Sequence, residues 1–469
     1  MASQGIDATS HVKLSPEFHR DRLRDLCERC PEGLILFRGE LDWFRKRELR
    51  AFDPAYRDTD FKQERNLYYV TGLEIPDSFV LIDPRKERFS VYSDWQNSRE
   101  LQNARVLGID KVHPTAAFLR DVRICGEGYE NIYVLYAPVL EDGPMFTKTS
   151  ALVGLFPPGM GEPATEEMQF ARRIAEIFPS HRVKSVAPAL NDMRQIKQPE
   201  EIRLLRAANQ VAVKAVMEAL RSIRSGIHNH DIAAVVEYTL RREGAVGPTF
   251  SVNLMSGPHQ FTKLGLLWAD YQHLDRELEP GDGIFLDIGA DVGYYVSDIG
   301  RTAPVSGRFS PEQQKLYDIY LSCYLEALKA VRPGITQRTL VEKCVQKMEA
   351  QLPTMQEDWL RKAAADFIAM TRVRPALGHY IDMDVVGKGP APDEPLKPGM
   401  VFAIEPLLFC EDKGFGVFVE DNILVTEEAY EVLSTGLPYA GTEIESVMRQ
   451  PGIIETVDLR ELERCGAMV

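Results

Sequence analysis

The sequence predicts an α/β unit over residues 1–190 and an α+β unit over residues 191–469. Three observations carry this reading. In the first part, short apolar runs alternate with helical stretches, as in a mixed sheet with helices packed on it. Near residues 185–200, a turn-rich stretch containing Pro188 and Pro199 marks a boundary just before a long helix. Beyond it come long amphipathic helices, together with strands that carry single acids.

Taken in order, residues 12–30 read as an amphipathic helix with Leu23 and Leu26 on one face. GLILFRG follows as a buried strand, and residues 40–60 are polar and loop-like. SFVLIDP, RFSVYSD and NIYVLYAP are further strands. Residues 141–166 are rich in Gly and Pro and read as a loop or flap. ALNDMRQIK reads as turn-rich. The next helix has Pro199 in its first turn and Gly226 at its end, both favoured positions. Apolar residues at 202, 205, 208, 212, 216 and 220 give it one continuous face. HNHD, residues 228–231, caps the following helix. Helices over 311–334 and 337–351 come next. The strands are 284–288, 294–298, 401–405 and 416–425, with the helices packed on a strongly bent sheet.

Composition narrows the function. With 44% hydrophobic and 27% charged residues, the chain is an ordinary soluble globular sequence. Its net charge of −15 argues against a general nucleic-acid or anionic-membrane binder. The longest apolar runs fall short of a membrane span, and the first residues show no signal or transit pattern. Seven scattered cysteines suit a reducing cytoplasm. Cys27 and Cys30 form a lone CxxC without the partner ligands that a zinc site needs.

The chemistry concentrates in FLDIGADVGYYVSDIGRT, residues 285–302. As a hairpin with Asp291–Tyr294 as its loop, this stretch puts 290 opposite 295 and Asp287 opposite Asp298. Opposed side chains in an antiparallel pair sit roughly 5 Å apart at Cβ. Two carboxylates that close repel, and a cation between them removes the repulsion. The bland alternative is a strand end with two solvated acids. His379 in ALGHYIDMDVVG, Glu405 after the apolar run Val401–Ile404, and Glu420 in GVFVEDNILVTEE complete the set. Four carboxylates and one imidazole suit Mn, Fe, Co or Zn. Bridging carboxylates would hold two such metals about 3.5–4 Å apart, a pair that activates water and polarises a carbonyl.

LDIGADVGYYVSDIGRT, LGHYIDMDVVG, LKPGMVFAIEP and GVFVEDNILVTE together resemble the pita-bread metallopeptidases (peptidase family M24), in the Xaa-Pro aminopeptidase (aminopeptidase P) and prolidase branch. SPEFHRDRL and FKQERNLYYVTGLEIPDSFVLIDP resemble that branch's N-terminal creatinase/prolidase-like α/β domain. NDMRQIKQPEEI resembles the linker into its catalytic domain. The resemblance implies an N-terminal aminopeptidase P-like domain over 1–190 and a catalytic pita-bread domain over 191–469. It implies two divalent metals, Mn foremost, with Asp287 on one, Asp298 and Glu420 bridging, and His379 and Glu405 completing the other. Glu405 is also the implied general base. Assembly as a homodimer or homotetramer is implied as well.

The chain departs from the family at the histidines that hold substrate and stabilise the tetrahedral intermediate. Pro375 stands four residues before His379, and Val386 seven after it. The upstream position, counted back from Gly281-Asp282, is Asp270, with His259 and His273 as candidate substitutes. The usual Asp-x-Thr-Arg-Thr has become Asp298-Ile299-Gly300-Arg301-Thr302, and Phe418 replaces an arginine. Pro375, Val386 and Phe418 would make the substrate pocket more apolar. An inward-pointing Asp270 would bind a cationic group or serve as a second acid/base. Three functions follow as expectations: Xaa-Pro peptide hydrolysis, a hydrolase or lyase acting on a small non-peptide molecule, and non-catalytic binding on the same fold. The metal-ligand set disfavours the last, and the missing histidines weigh against the first.

Overall fold

The computed structural model describes residues 13–40, 61–95, 109, 111–136, 165–261 and 275–456. Asp270, His273 and the 141–164 part of the expected flap lie outside the described residues. The chain divides into two units, Leu14–Arg194, and Met1–Lys13 with Gln195–Val469.

In the first unit, α1 (Pro16–Arg29) begins where Ser15 Oγ accepts from Phe18 N and Pro16 presets the first turn. The strands are β1 (Gly33–Arg38), β2 (Phe79–Asp83), β3 (Arg88–Tyr92), β4 (Val112–His113), β5 (Asn131–Val134) and β6 (Arg182–Ser185). They form one sheet in the order β4-β3-β2-β1-β5-β6. β1 pairs antiparallel to β2 and parallel to β5, so the sheet is mixed as expected. Helices α2 (Arg65–Thr71), α3 (Phe118–Gly126) and α4 (Glu166–Ile177) accompany it. Leu34, Leu36 and Leu81 of the sheet pack with Phe118, Val122 and Ile174 of the helices. The stretch read as turn-rich is instead a helix, α5 (Ala187–Gln195). Pro188 sits in its first turn, where no backbone donor is lost, and Leu190 and Met193 are buried.

In the second unit, α6 (Pro199–Ser222) opens with Glu201 Oε2 accepting from Gln198 N at 2.8 Å. Leu205, Ala208, Ala212, Val216 and Leu220 form its buried face. In α7 (Asn229–Arg242), Asp231 accepts from His228 N at 2.8 Å, so HNHD is a helix cap. Then come β7 (Gly247–Pro248), β8 (Asn253–Ser256), β9 (Gly283–Ile288), β10 (Ala290–Val292), β11 (Tyr295–Val296) and β12 (Ile299–Pro304). Three helices follow: α8 (Pro311–Ala330), α9 (Gln337–Gln351) and α10 (Asp358–Arg372). The last elements are β13 (Val401–Ile404), β14 (Leu407–Cys410), β15 (Phe415–Phe418), β16 (Asp421–Val425), β17 (Tyr430–Val432), α11 (Gly441–Met448) and α12 (Ile453–Thr456).

Two further local outcomes differ from the sequence reading. The loop between the acid-bearing strands is two residues, Gly293 and Tyr294, with φ of 58° and 75°. Two left-handed residues in sequence make the tight turn whose twist matches a hairpin. The pairing therefore runs Val292↔Tyr295 and Asp291↔Val296, and further along Gly300↔Asp287. Asp287 faces Gly300, not Asp298. A shift of two residues leaves every side chain on its expected face, so the two acids remain diagonal neighbours. The second difference lies at 416–425, where one strand was expected. The chain changes partner there: β15 pairs with β14, and β16 pairs with β13. Glu420 sits at the changeover and bridges to Gly300.

Among the described residues, no helix is long and apolar enough to cross a membrane. Cys27, Cys30, Cys125, Cys323, Cys344 and Cys410 are free thiols.

Candidate metal centre

Asp287 stands near the end of β9, with Asn253 of β8 donating to its Oδ2 at 3.0 Å. Asp298 lies between β11 and β12, and Asn422 grips it from β16. Asp298 N donates to Asn422 Oδ1 at 3.0 Å, and Asn422 Nδ2 donates to Asp298 O at 2.7 Å. Glu420 is fixed by its backbone, which exchanges hydrogen bonds with Gly300 at 3.0 and 3.1 Å. Behind it, the fully buried Arg301 donates to Glu420 O at 2.9 Å and to Asp421 Oδ1 at 3.0 Å.

His379 and Glu405 arrive from a second direction. Ala403 N donates to His379 O at 2.7 Å, and Glu405 N donates to Leu377 O at 3.0 Å. This pairing holds the segment against β13. Gly378 makes it possible, because a Cβ there would stand 2.2 Å from Ala403 O. His379 Nε2 then lies 3.4 Å from Asp298 Oδ2 and 3.8 Å from Glu405 Oε1. Its Nδ1 faces Tyr380 O at 3.4 Å. One ligand atom each from Asp298, His379 and Glu420 falls within 4.8 Å of the others.

The electrostatics of this cluster are those of acids without enough counter-charge. Burial pushes the Asp287 carboxyl well up, and the Asp298 charge adds to it. Burial raises Glu420 well above the carboxylate range, with Asp298 and Glu405 contributing. Burial also raises Glu405, against the pull of His379 and Arg374. For His379, burial disfavours the charge, but the hydrogen bond to Asp298 and the charge of Glu405 outweigh it, and its pKa is pushed up to about 9. Asp287 Oδ1, Asp298 Oδ1 and Glu420 Oε1 are buried with no hydrogen-bond partner among the described residues. A buried acceptor left unpaired costs roughly 1–3 kcal/mol, more when charged. Such oxygens on acids grouped beside an imidazole fit divalent cations of the Mn, Fe, Co or Zn kind.

The structure thus brings Asp287, Asp298, His379, Glu405 and Glu420 together. Among the substitutes for the family histidines, Pro375 is exposed and Val386 half-buried. His259 is half-buried in the turn Gly257–Phe261. Phe418 is 3% exposed and packs with Met255 and Phe285, so its ring is a core element and not an open pocket wall. Its position explains the change at Gly300, where a Cβ would come within 2.1 Å of the Phe418 ring. The two departures from the expected motif are therefore one packing event. Sequence reasoning did not single out Asn253, Asn422, Asp421 or Arg374. Arg374 Nη2 lies 3.7 Å from Glu405 Oε1. No spacing signal marks these residues, because their partners are distant in sequence.

Comparison with known proteins bears on the family and the fold. The model of metallopeptidase family M24 matches residues 203–427. The mitochondrial intermediate cleaving peptidase 55 of Arabidopsis thaliana is 29% identical over 276 residues, 57% of this chain and 54% of that protein. The chain thus spans about half the length of that relative. The Xaa-Pro aminopeptidase of Haemophilus influenzae is 25% identical over 450 residues, 92% of this chain and 97% of that protein. The solved proline aminopeptidase P II of Yersinia pestis superposes with a TM-score of 0.72 at 22% identity, covering 93% of this chain and 99% of that one. That likeness shows the two-domain pita-bread fold.

Proposed function

Because the chain belongs to metallopeptidase family M24, we propose that it is a metal-dependent hydrolase of the Xaa-Pro aminopeptidase kind, cutting the bond that precedes proline. The observation that carries this is the grouping of Asp298, His379 and Glu420, whose ligand atoms lie within 4.8 Å of one another beside Glu405, with buried carboxylate oxygens left unpartnered among the described residues. In this reading residues 191–469 form the catalytic domain and residues 1–190 the aminopeptidase P-like domain. Asp287, Asp298, His379, Glu405 and Glu420 hold two divalent metals, Mn foremost. When bound, the metals supply Lewis acidity toward a carbonyl oxygen and toward water.

The chain's own residues do the rest. Glu405 Oε1 receives a proton from the attacking water and returns it to the leaving amine. His379, with Nδ1 turned to Tyr380 O, presents Nε2 to the cluster. Asn253 and Asn422 hold Asp287 and Asp298 in place, and Arg301 holds the backbone of Glu420. A cytoplasmic setting belongs to this reading. Assembly as a homodimer or homotetramer belongs to the same reading.

One observation favours a second reading, in which a small non-peptide molecule is the substrate. Pro375 and Val386 supply no imidazole where the family uses histidine to hold a peptide. Metal analysis and turnover on one preparation separate the two readings. Near two metals per chain with cleavage of Xaa-Pro peptides supports the peptidase. Two metals without cleavage supports the small-molecule enzyme. No metal and no rescue by Mn, Fe, Co or Zn overturns both.

A further inference from the structure

Two strand pairs behind the cluster share one register. β13 lies on β16 with Ile404 opposite Asp421, and β14 lies on β15 with Leu407 opposite Phe418. Counting between them puts Glu405 opposite Glu420 and Pro406 opposite Val419. The ladder is interrupted at these two rungs. Pro406 has no N–H to give. The backbones of the two glutamates bond outward instead, Glu405 N to Leu377 O at 3.0 Å and Glu420 N to Gly300 O at 3.0 Å.

Tyr320 of α8, fully buried, fills the gap from behind. Val419 N donates to Tyr320 Oη at 3.0 Å. The hydroxyl gives its own hydrogen to Pro406 O at 2.5 Å, the nearer of two carbonyls, with Val419 O at 3.3 Å. An oxygen therefore stands where a direct bond of about 2.9 Å from Val419 N to Pro406 O would close an ordinary ladder. The Tyr320 ring is held edge-on to Phe367 of α10, with centroids 6.1 Å apart. In a closed antiparallel pair, opposed side chains sit roughly 5 Å apart at Cβ. The interposed hydroxyl keeps the adjoining rung, that of Glu405 and Glu420, from closing in this way. We propose that Tyr320 is a positioning residue whose hydroxyl, bridging Val419 N and Pro406 O, sets the separation of the Glu405 and Glu420 carboxylates and so the firmness and geometry with which they hold a divalent cation. It acts through the two backbones and touches no reacting atom. This rests on the reading of the cluster as a metal centre.

The test uses the full chain, stripped with chelator and reloaded with Mn alone or Co alone. Wild type and Tyr320→Phe are compared by calorimetry for Mn affinity. They are also compared by the visible absorption of the Co-loaded protein, which reports coordination geometry. Tyr320→Phe is expected to bind Mn about tenfold more weakly, the lower end of the range for groups behind metal ligands, and to shift the Co bands. Tyr317→Phe is the control. It removes the hydroxyl of another fully buried tyrosine of the same helix, one that donates to Tyr439 O at 2.9 Å. It is expected to lower the melting temperature while leaving the Mn affinity and the Co bands as in wild type. Unchanged Mn affinity and bands in Tyr320→Phe, or equal changes in both variants, overturn the proposal. Should Tyr320→Phe fail to fold by circular dichroism, a crystal structure of Mn-loaded wild type decides. Tyr320 Oη seated between Val419 N and Pro406 O, with Glu405 and Glu420 both on metal, supports the proposal; a direct bond from Val419 N to Pro406 O overturns it. Wild type that takes up neither Mn nor Co overturns the metal-centre reading and this proposal together. Uptake by wild type with no change in Tyr320→Phe overturns this proposal alone.

Discussion

Glu420 and Asp421 are neighbours in sequence, both essentially excluded from water, and opposite in kind. Asp421 accepts from Arg301 at 3.0 Å and from Tyr439 at 2.9 Å, and also from Tyr324 and Ser434. The Arg301 guanidinium donates further to Pro438 O and Gly300 O and lies 4.8 Å over the Tyr439 ring. Burial disfavours the Arg301 charge, but Asp421 outweighs it and holds the pKa up. One residue away, Glu420 Oε1 has no partner among the described residues. Successive residues of extended chain point to opposite faces, which lets neighbouring positions serve two environments. The contrast teaches that a buried charge alone does not mark a functional site. A buried charge whose hydrogen-bonding capacity is left open does.

The comparison can be broken by mutation. The largest effect is expected from Glu420→Gln or Asp298→Asn, which remove a metal-facing charge. Turnover should fall by about 10²–10³-fold with loss of bound metal, in keeping with the cost of removing an essential electrostatic group. The metal-free variants should be as stable as metal-free wild type or more so, because repulsion is relieved. A metal-free variant that melts well below metal-free wild type would place Glu420 in the structural class instead.

Next in size is Arg301→Met. It strands Asp421 without its cation and should cost about 3–5 kcal/mol in urea unfolding. The loss should be present with and without Mn, with a further part in the Mn-loaded protein because Arg301 also holds the backbone of Glu420. A loss seen only in the metal-loaded protein would mean that the two clusters are one.

A third test sharpens the contrast with pH. In the metal-free protein, Asp287, Glu405 and Glu420 have folded pKa values raised above their unfolded ones, and His379 is raised to about 9. The folded state therefore binds more protons than the unfolded one, and stability falls as pH rises through these folded values. Metal binding releases those protons, so the stabilisation by Mn should grow with pH. Melting temperatures at acid, neutral and alkaline pH, with chelator and with Mn, should diverge. Parallel curves would contradict the assignment of these groups as ligands.

The smallest effect concerns the packing beside the site. Gly300→Ala should cost about 1–3 kcal/mol by overpacking against Phe418. The double variant Gly300→Ala with Phe418→Leu should lose less than the sum of the single changes, as expected for residues in contact. Additive losses would deny the coupling.

Much of this was legible from residue types. The Pro199 start and the HNHD cap rest on local chemistry, and the ligand roles proposed for Asp287, Asp298, His379, Glu405 and Glu420 come from the family resemblance. The register of the acid-bearing strands was not legible, because it depends on Tyr294 taking a left-handed conformation that bulky residues rarely adopt. Nor was the fate of Phe418, whose burial depends on Gly300 across the strand boundary. Arg374 was overlooked for a related reason: its partner, Glu405, is 31 residues away in sequence.

The grip of Asn422 on Asp298 joins residues 124 apart along the chain. During synthesis the hairpin that carries Asp287 and Asp298 emerges long before the strand that closes over it. Long-range contacts of this sort form late. The growing chain must therefore carry a pair of clustered acids through the synthesis of the next 124 residues without the residues that complete the cage. Metal capture becomes one of the last events of maturation, and a chain truncated before residue 420 would be a poor competitor for scarce cations.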